Sequence, residues 1–403
     1  MKSSATRSDD NVLLESQDFS LVQGGPFFQL LFRAHLYGDE LTLLRRRVFA
    51  ISLFAWLPLL VLSALSGELV GGDAAVPFLK DAEVHIKFLV VVPLLIIAEL
   101  VVHQFLRPIM AQFMKQGLIP DSARPRFHAA VASALRLRNS LLAEFVLIAF
   151  VYGIGVLVIW RHYSALETAT WYATPSAGGS ALTLPGMWYG FVSQPIFQFL
   201  MLRWIYRLLI WARLLFQVSR LDLNMIPTHP DRAGGLGFLS NVLYAFLPLA
   251  FAYGAVISGN LASRILYAGA KLPEFKLQIA AAAISLVLIF VGPLLVFSGK
   301  IAQVKRKGLL EYGALAQHYV RDFDFKWLRG GVSPEYTPLG SEDIQSLADL
   351  ANSFEIVRTM RMAPVAIQDI VLVALAVLAP IAPLILTVMP IEQLLKLVFG
   401  LLR

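Results

Sequence analysis

The sequence contains no cysteine and has few charged residues. Without cysteine the chain has no disulfide framework, no thiolate nucleophile and no Cys-ligated metal site. Charged residues make up 15% of the 403 residues and hydrophobic residues 57%, whereas a typical soluble domain has about 25% charged residues. This scarcity of charge argues against a soluble protein and predicts several membrane-spanning helices.

The sequence also shows no sign of a signal peptide or of an internal repeat. The start, MKSSATRSDDNVLLESQDFS, is polar and has no apolar stretch behind a basic end, so we do not expect a cleavable signal. No repeat is detectable that would support an inverted-repeat transporter. The net charge of +7 could indicate nucleic-acid binding, but the positions of the basic residues explain it differently.

Long apolar stretches dominate what is present. A membrane-spanning helix needs about 20 mostly apolar residues. Seven stretches meet this length, at about 48–67, 85–106, 140–160, 187–212, 237–258, 277–298 and 365–389. We therefore predict an all-α polytopic integral membrane protein with about seven transmembrane helices, surrounded by the lipid bilayer.

The basic residues predict the orientation in the membrane. Arg45, Arg46 and Arg47 precede the first span, and placing them in the cytoplasm puts 24 of the 34 Lys and Arg residues on cytoplasmic segments. Such an asymmetry is the positive-inside rule. We expect a cytoplasmic N-terminus in a bacterial inner membrane, and no nucleic-acid partner, because the topology accounts for the basic charge.

This topology divides the chain into four regions. They are a cytoplasmic N-terminal segment with an interfacial helix at 1–47, a six-span bundle at 48–298, a cytoplasmic helical region at 299–363, and a seventh span with an amphipathic tail helix at 364–403. Pro380 and Pro383 interrupt the seventh span and could make it re-entrant, which would return the tail to the cytoplasm.

The cytoplasmic region is expected to form a small helical cap. One helix continues from the sixth span and ends at Gly330 and Gly331. A second helix is predicted from SEDIQSLADLANSFEIVRTMR, because an acidic first turn follows a good N-cap residue. Its apolar stripe consists of Leu347, Leu350, Phe354 and Val357.

Ionisable residues inside the spans are the main functional signal. Each costs about 2.5–3.5 kcal/mol at the bilayer centre on insertion scales, so such residues pair with one another or face water. The candidate residues among them are Glu99, His103, Glu144, Arg203, Arg207 and Asp369. Counting the rise per residue places most of them in one layer of the cytoplasmic half. We predict that the two arginines pair with Glu99 and Glu144, with Asp369 nearby.

Two interpretations of this charge cluster stay open. It is either an ion-pair network that fixes helix packing, or a permeation or coupling site for an anion or a proton. The arginine spacing is irregular, which argues against a voltage sensor. Glu99 and His103 offer only two ligands on one helix face, so we expect no metal and no other cofactor.

The segment IPTHPDRAGGLGF lies between the fourth and fifth spans. Its candidate residues are His229, Asp231, Arg232, Gly234 and Gly235. Asp231 can cap the next turn and the two glycines permit positive φ, which favours a cytoplasmic hinge. A gate, an anion contact at the following helix N-terminus, or acid–base chemistry at His229 are the alternatives. The segment lacks the glycine spacing and lysine of a P-loop.

Two stretches carry a resemblance. THPDRAGGLGFL and LGSEDIQSLADLANSFEIVRTMR, under a tenth of the chain, resemble a family of uncharacterised bacterial multi-span inner-membrane proteins. The resemblance implies an inner-membrane location and no particular activity.

The function expected from the residues is a small-ion channel or transporter that uses the charge cluster as its pathway or coupling site. The alternative is a membrane-anchored assembly or signalling component that docks a cytoplasmic protein partner through the helices of 300–363. A homo-oligomer is compatible with both, and an enzyme is the least expected class.

Overall fold

The computed structural model describes residues 19–33, 41–72, 74–160, 170–176, 179–330 and 342–387. Helices make up 79% of the structure, which confirms the all-α prediction. In that part of the chain the one sheet is an antiparallel hairpin of β1 (Ala173–Ser176) and β2 (Gly179–Leu182). The hairpin falls in a segment for which the sequence predicts no secondary structure.

The described ranges contain twelve α-helices, numbered in chain order. They are α1 Pro26–Arg33, α2 Leu41–Leu65, α3 Ala82–Lys115, α4 Arg124–Arg138, α5 Leu141–Phe150, α6 Leu184–Trp188, α7 Gln194–Ser219, α8 Asn241–Tyr267, α9 Lys276–Val291, α10 Ser298–Leu328, α11 Glu342–Arg358 and α12 Ile367–Leu378. Short 3₁₀ helices cover Phe78–Lys80, Asp121–Ala123, Gly237–Ser240, Leu272–Phe275, Gly292–Phe297 and Ala382–Thr387.

Stretches of π-helix interrupt this pattern at Ile86–Val91 within α3, at Val151–Trp160 after α5 and at Tyr189–Ser193 before α7. Two of them stand just before a proline, Pro93 and Pro195. Proline has no N–H and its ring clashes with the carbonyl four residues earlier, so the wider turn accommodates it without breaking the helix.

Fewer helices meet the requirements of a membrane span than the sequence predicts. Four stretches are long and apolar enough: Leu43–Leu65, Ala82–Lys115, Gly237–Tyr267 and Leu272–Leu328. A fifth is counted if Asp121–Arg138 and Leu141–Gly155, which meet at a bend of 45°, form one crossing. The described residues therefore hold four or five candidate spans, not seven.

The shortfall has a physical reason in each case. The fourth predicted span is present as α7, but Arg203, Arg207 and Arg213 lower its apolarity. The seventh is divided, because α12 ends at Leu378 just before Pro380, and a 3₁₀ helix follows at Ala382–Thr387. The predicted break at the prolines is thus confirmed, while the predicted tail helix lies outside the described residues.

Helix α8 lies at the centre of the bundle and packs against α3, α9 and α12. Helix α7 packs against α3, α4 and the 3₁₀ helix Gly292–Phe297. We call the end of the bundle that carries the hairpin the hairpin end, and the end from which α10 projects the cap end. Helix α7 runs from the hairpin end to the cap end.

The cap at that end consists of α10 and α11, as predicted. Helix α10 continues the sixth span to Leu328, and Gly330 follows with a φ of +78°. Phe354 is half-buried and Val357 is buried where α11 packs on α10. The apolar stripe of α11 therefore faces its partner helix rather than solvent.

Close packing between α8 and α12 depends on Gly254. A Cβ atom at this position would stand 2.9 Å from the carbonyl carbon of Val377 and closer still to its oxygen. We expect Gly254→Ala to force the helices apart and destabilise the protein by about 1–3 kcal/mol, the usual cost of overpacking. Thermal unfolding of the purified protein in detergent measures this change.

Gly299→Ala is the matched control, since this residue is also helical and a Cβ added there would meet no described atom within 4 Å. It should leave the unfolding midpoint unchanged or raise it slightly. Equal destabilisation by both substitutions would show that contact with Val377 is not the cause.

Candidate functional site

Glu99 on α3 is the centre of a buried ion-pair cluster. Its Oε1 lies 2.8 Å from Arg207 Nη1 and 3.2 Å from Arg203 Nη1, both on α7. Its Oε2 lies 2.9 Å from Nη2 of Arg47 on α2. The Glu99 side chain is 9% exposed and the three arginine side chains are 5% exposed or less, so one largely buried carboxylate links three helices.

Glu144 on α5 joins this cluster at its edge. Its Oε1 lies 3.6 Å from Arg203 Nη2, and its Oε2 accepts a hydrogen bond of 2.7 Å from the backbone N–H of Phe27. The ring of Phe27 in turn covers the Arg203 guanidinium, whose carbon lies 4.7 Å from the ring centroid. We call Glu99, Glu144, Arg47, Arg203 and Arg207 the Glu99 cluster.

The predicted pairing of the two α7 arginines with Glu99 and Glu144 is confirmed. The sequence predicts that Asp369 lies nearby, but among the described residues its side chain makes no hydrogen bond or ion pair with them. Asp369 Oδ2 accepts from the N–H of Ala366 at the start of α12, and Oδ1 accepts from the hydroxyl of Tyr244. Asp369 is therefore a helix-capping residue.

A segment near the N-terminus completes the cluster. We call Phe19–Gly25 the strap. Its first four residues are each exposed by 3% or less, although the sequence predicts that 1–47 lies outside the bundle. The Val22 carbonyl accepts from Arg207 Nη2 at 3.4 Å, and the Ser20 carbonyl accepts from Arg138 Nη1. The strap thus supplies acceptors for arginine N–H groups that the carboxylates do not reach.

His103 contacts the strap, since its Nδ1 lies 2.9 Å from the hydroxyl of Ser20. The strap and Arg47 are the two parts of the cluster that the sequence does not reveal. Arg47 belongs to a basic run before the first span, where the positive-inside rule already explains a basic residue.

A cavity of about 360 Å³ with polar and apolar walls lies at the hairpin end; its apolar lining residues are Val84, Phe197, Val256 and Ile257. Each of the three π-helical stretches contributes one residue or more to its walls, among them Lys87, Gly155 and Tyr189. The other polar lining residues are Asp81, Glu83, Tyr172, Gln194, Gln198, Asn260 and Gln278. Sites of function often coincide with π-helical turns, and none of these residues is a candidate from the sequence.

An ion pair stands at the cavity wall. Lys87 Nζ lies 2.7 Å from Glu83 Oε1 and 3.4 Å from the hydroxyl of Tyr189. Asp81 precedes α3, where its Oδ2 accepts from the indole N–H of Trp171 at 2.9 Å. Trp171 is fully buried and stands two residues before β1, so Asp81 ties the start of the hairpin to the start of α3.

Two glutamine side chains on α7 face the cavity without using all of their polar atoms. The Oε1 atoms of Gln194 and Gln198 are buried and have no hydrogen-bond partner among the described residues. The two glutamines are four apart and lie on one helix face. A Cβ on Gly155 would stand 3.0 Å from Gln198 Cδ and closer still to its Oε1, so only a glycine at 155 leaves room for this amide.

The loop between α7 and α8 is organised by Asp231. Its Oδ1 accepts from the backbone N–H groups of Ala233 and Gly235 at 2.8 and 3.1 Å, and its Oδ2 accepts from that of Gly237 at 2.7 Å. His229 Nδ1 lies 2.9 Å from Oδ1. Burial opposes ionisation, but these hydrogen bonds together hold the pKa of the Asp231 carboxyl below its ordinary value.

The same loop contacts the cap. Arg232, Gly234 and Gly235 have φ values of +56°, +69° and +95°, which confirms positive φ at the glycines. The Arg232 carbonyl accepts a hydrogen bond of 2.8 Å from the N–H of Arg361, just after α11. The predicted hinge therefore joins the bundle to the cap, while its role as a gate stays a prediction.

The shared Glu99 carboxylate predicts an order of mutant stability. Glu99→Gln leaves three buried arginines without their main counter-charge and should cost about 3–5 kcal/mol, as for other broken buried ion pairs. Glu144→Gln loses one longer contact and keeps an acceptor for Phe27, so its cost should be clearly smaller. Unfolding midpoints in detergent measure both.

The two variants remove the same charge from neighbouring positions, so each controls for the other. A smaller effect of Glu99→Gln than of Glu144→Gln would contradict the central place of Glu99.

Comparisons of the chain with protein-family models, with curated proteins and with solved structures find no match, so the site alone carries the functional reasoning.

Proposed function

We propose that this chain is an inner-membrane transporter for a small polar solute. In this proposal the hairpin-end cavity is the solute site and the Glu99 cluster closes the pathway toward the cap end. One observation carries it: Gln194 and Gln198, which face the cavity, stand on the same helix as Arg203 and Arg207 of the cluster. The five residues from Gln198 to Arg203 correspond to about 8 Å along α7.

The geometry favours a transporter over a channel. A channel needs a continuous aqueous path, whereas the Glu99 side chain and its arginines are buried and paired. A cavity open at one end and closed by ion pairs at the other is one of the two states that alternating access requires. The cluster then acts as a closed gate or coupling site, as expected from the charges inside the spans.

Seven crossings form part of this proposal. Helix α7 has 26 residues, and its length of about 39 Å exceeds the hydrocarbon thickness. Its arginines make contacts inside the bundle, which lowers the cost of crossing. Helix α12 and the following 3₁₀ helix, with 12 and 6 residues, together reach about 30 Å, enough for a broken span.

The orientation follows from the charge asymmetry, which supports a bacterial inner-membrane location with the cap in the cytoplasm. The hairpin-end cavity then opens outside the cytoplasm. The absence of cysteine makes this testable, because a single introduced cysteine is the only thiol in the chain.

We expect Asn260→Cys, in the cavity wall, to react with a membrane-impermeant maleimide on intact cells, and the reaction to block transport. Lys307→Cys, whose parent side chain on α10 is 77% exposed, should react only after the membrane is permeabilised. Transport is measured in proteoliposomes with a panel of labelled small polar solutes, together with protons and chloride.

Glu274→Cys is the matched control, since Glu274 is exposed at the hairpin end and does not line the cavity. Its modification should leave transport unchanged. Proteoliposomes that pass none of these solutes would overturn the proposal, and labelling of Lys307→Cys on intact cells would invert the topology.

A second function, docking of a cytoplasmic protein, is favoured by the outer face of α10. Leu310, Phe325 and Leu328 are 76%, 67% and 74% exposed. At 100° per residue the three side chains fall within about 60° around the helix. Large apolar side chains on a helix that extends beyond the bundle are typical of a partner surface.

If α10 docks a partner, Phe325→Glu with Leu328→Glu should abolish stoichiometric co-purification of one defined protein and leave membrane insertion intact. Leu266→Glu, on an exposed apolar residue of α8, is the control and should not affect that partner. Co-purification that survives the double substitution would exclude this face.

A further inference from the structure

The hairpin-end cavity has an excess of negative charge. Its charged lining residues are two acids, Asp81 and Glu83, and one base, Lys87. Lys87 pairs with Glu83 at 2.7 Å, so the positive charge of Lys87 is balanced by Glu83. The negative charge of Asp81 is left without a balancing positive charge in the cavity wall. A cavity with this balance attracts a positively charged solute and repels an anion.

Asp81 is the acid left in excess. Within the described ranges its carboxylate accepts from the Trp171 indole and the Val84 backbone, at 2.9 and 3.3 Å, and makes no ion pair. Burial raises the pKa of this carboxyl above its ordinary value, and the Trp171 N–H offsets that only in part. A cation placed beside it would stabilise the ionised form.

The rest of the wall suits a hydrogen-bond donor. The Oε1 atoms of Gln194 and Gln198 are buried and without a partner in the part of the chain that the structure describes, and a buried acceptor without a donor costs free energy. Turning either amide over would exchange its oxygen and nitrogen, so the amides indicate a polar ligand but not the sign of its charge. The sign of the charge is indicated by the excess acid.

The cavity already holds one ammonium group in such surroundings. Lys87 Nζ lies near the Glu83 carboxylate and the Tyr189 hydroxyl, and 5.6 Å from the centroid of the Phe197 ring. Carboxylate, oxygen acceptors and aromatic faces are the groups that recognise ammonium ions. The volume of about 360 Å³ corresponds to about twelve water molecules, so the ligand is small.

From this juxtaposition we infer that the cavity binds a small organic amine in its protonated form, with Asp81 as the counter-ion and the amides of Gln194 and Gln198 as hydrogen-bond partners. The inference rests on the proposed transport function and deepens it by naming the class of its solute. Inorganic cations lack the directed N–H donors and would use the same charge less specifically.

Three probes of matched size separate the ligand classes: 5-aminopentan-1-ol, 5-hydroxypentanoate and pentane-1,5-diol. Calorimetry on the full-length protein in detergent should show that the amine binds about ten-fold or more tightly than the diol, since hydrogen bonds to charged groups contribute that much. The carboxylate should not bind. Sodium or potassium chloride, added in place of the probes, should not reproduce the amine signal.

Asp81→Asn should weaken amine binding about ten-fold or more, and Glu274→Gln, an exposed acid at the same end, should leave it within about two-fold. Because Asp81 also holds Trp171, Gln198→Met provides a second variant that keeps the hairpin anchor and should also weaken binding.

Tighter binding of the carboxylate or the diol, competition by simple salts at equal concentration, absence of amine binding, or unchanged affinity in both cavity variants would overturn the inference. The transport proposal is tested separately. It survives such a result if proteoliposomes carry another solute that Asn260→Cys labelling blocks, and it fails only if no solute passes.

Discussion

A single carboxylate determines how the bundle closes. Glu99 accepts from arginines on two other helices, and Glu144 and the strap accept from the N–H groups that remain. Three guanidinium groups and two carboxylates leave one positive charge in excess, and the carbonyls of Ile96 and Val22 accept from two of the guanidinium groups. Such a network is costly to bury and costly to break, so α2, α3, α5 and α7 hold one arrangement around it.

Helix α7 connects this closed layer with the open cavity. Gln194 and Gln198 are one turn apart, and so are Arg203 and Arg207, so amides and guanidinium groups follow each other along one helix. The π-helical turn that precedes Pro195 determines where the amides point, because it shifts the helix face at the cavity. The closed layer and the cavity wall therefore share one continuous helix.

Part of this was predictable from the sequence, for physical reasons. Depth follows from rise per residue and a charge inside a span needs a partner, which is why pairing of the α7 arginines with the two glutamates could be predicted. Asp369 was placed at the same depth, but depth contains no information on direction around the helix, and its carboxylate caps α12. The cavity could not be predicted because Asp81 and Glu83 precede the predicted second span, Lys87 stands at its start, and the neutral amides of α7 carry no charge signal. Only the folded structure brings these residues together.

The strap escaped prediction because it has neither helical nor strand periodicity, and its position has a consequence for biogenesis. Phe19–Gly25 is synthesised before every helix that it touches, yet its contacts reach as far along the chain as Arg207. Its partners His103 and Arg138 are synthesised before α7, so the contact with Arg207 is the one that has to await insertion of α7. The strap is the first part of the described chain to be translated, and its contacts with the bundle are complete only after α7 is in place.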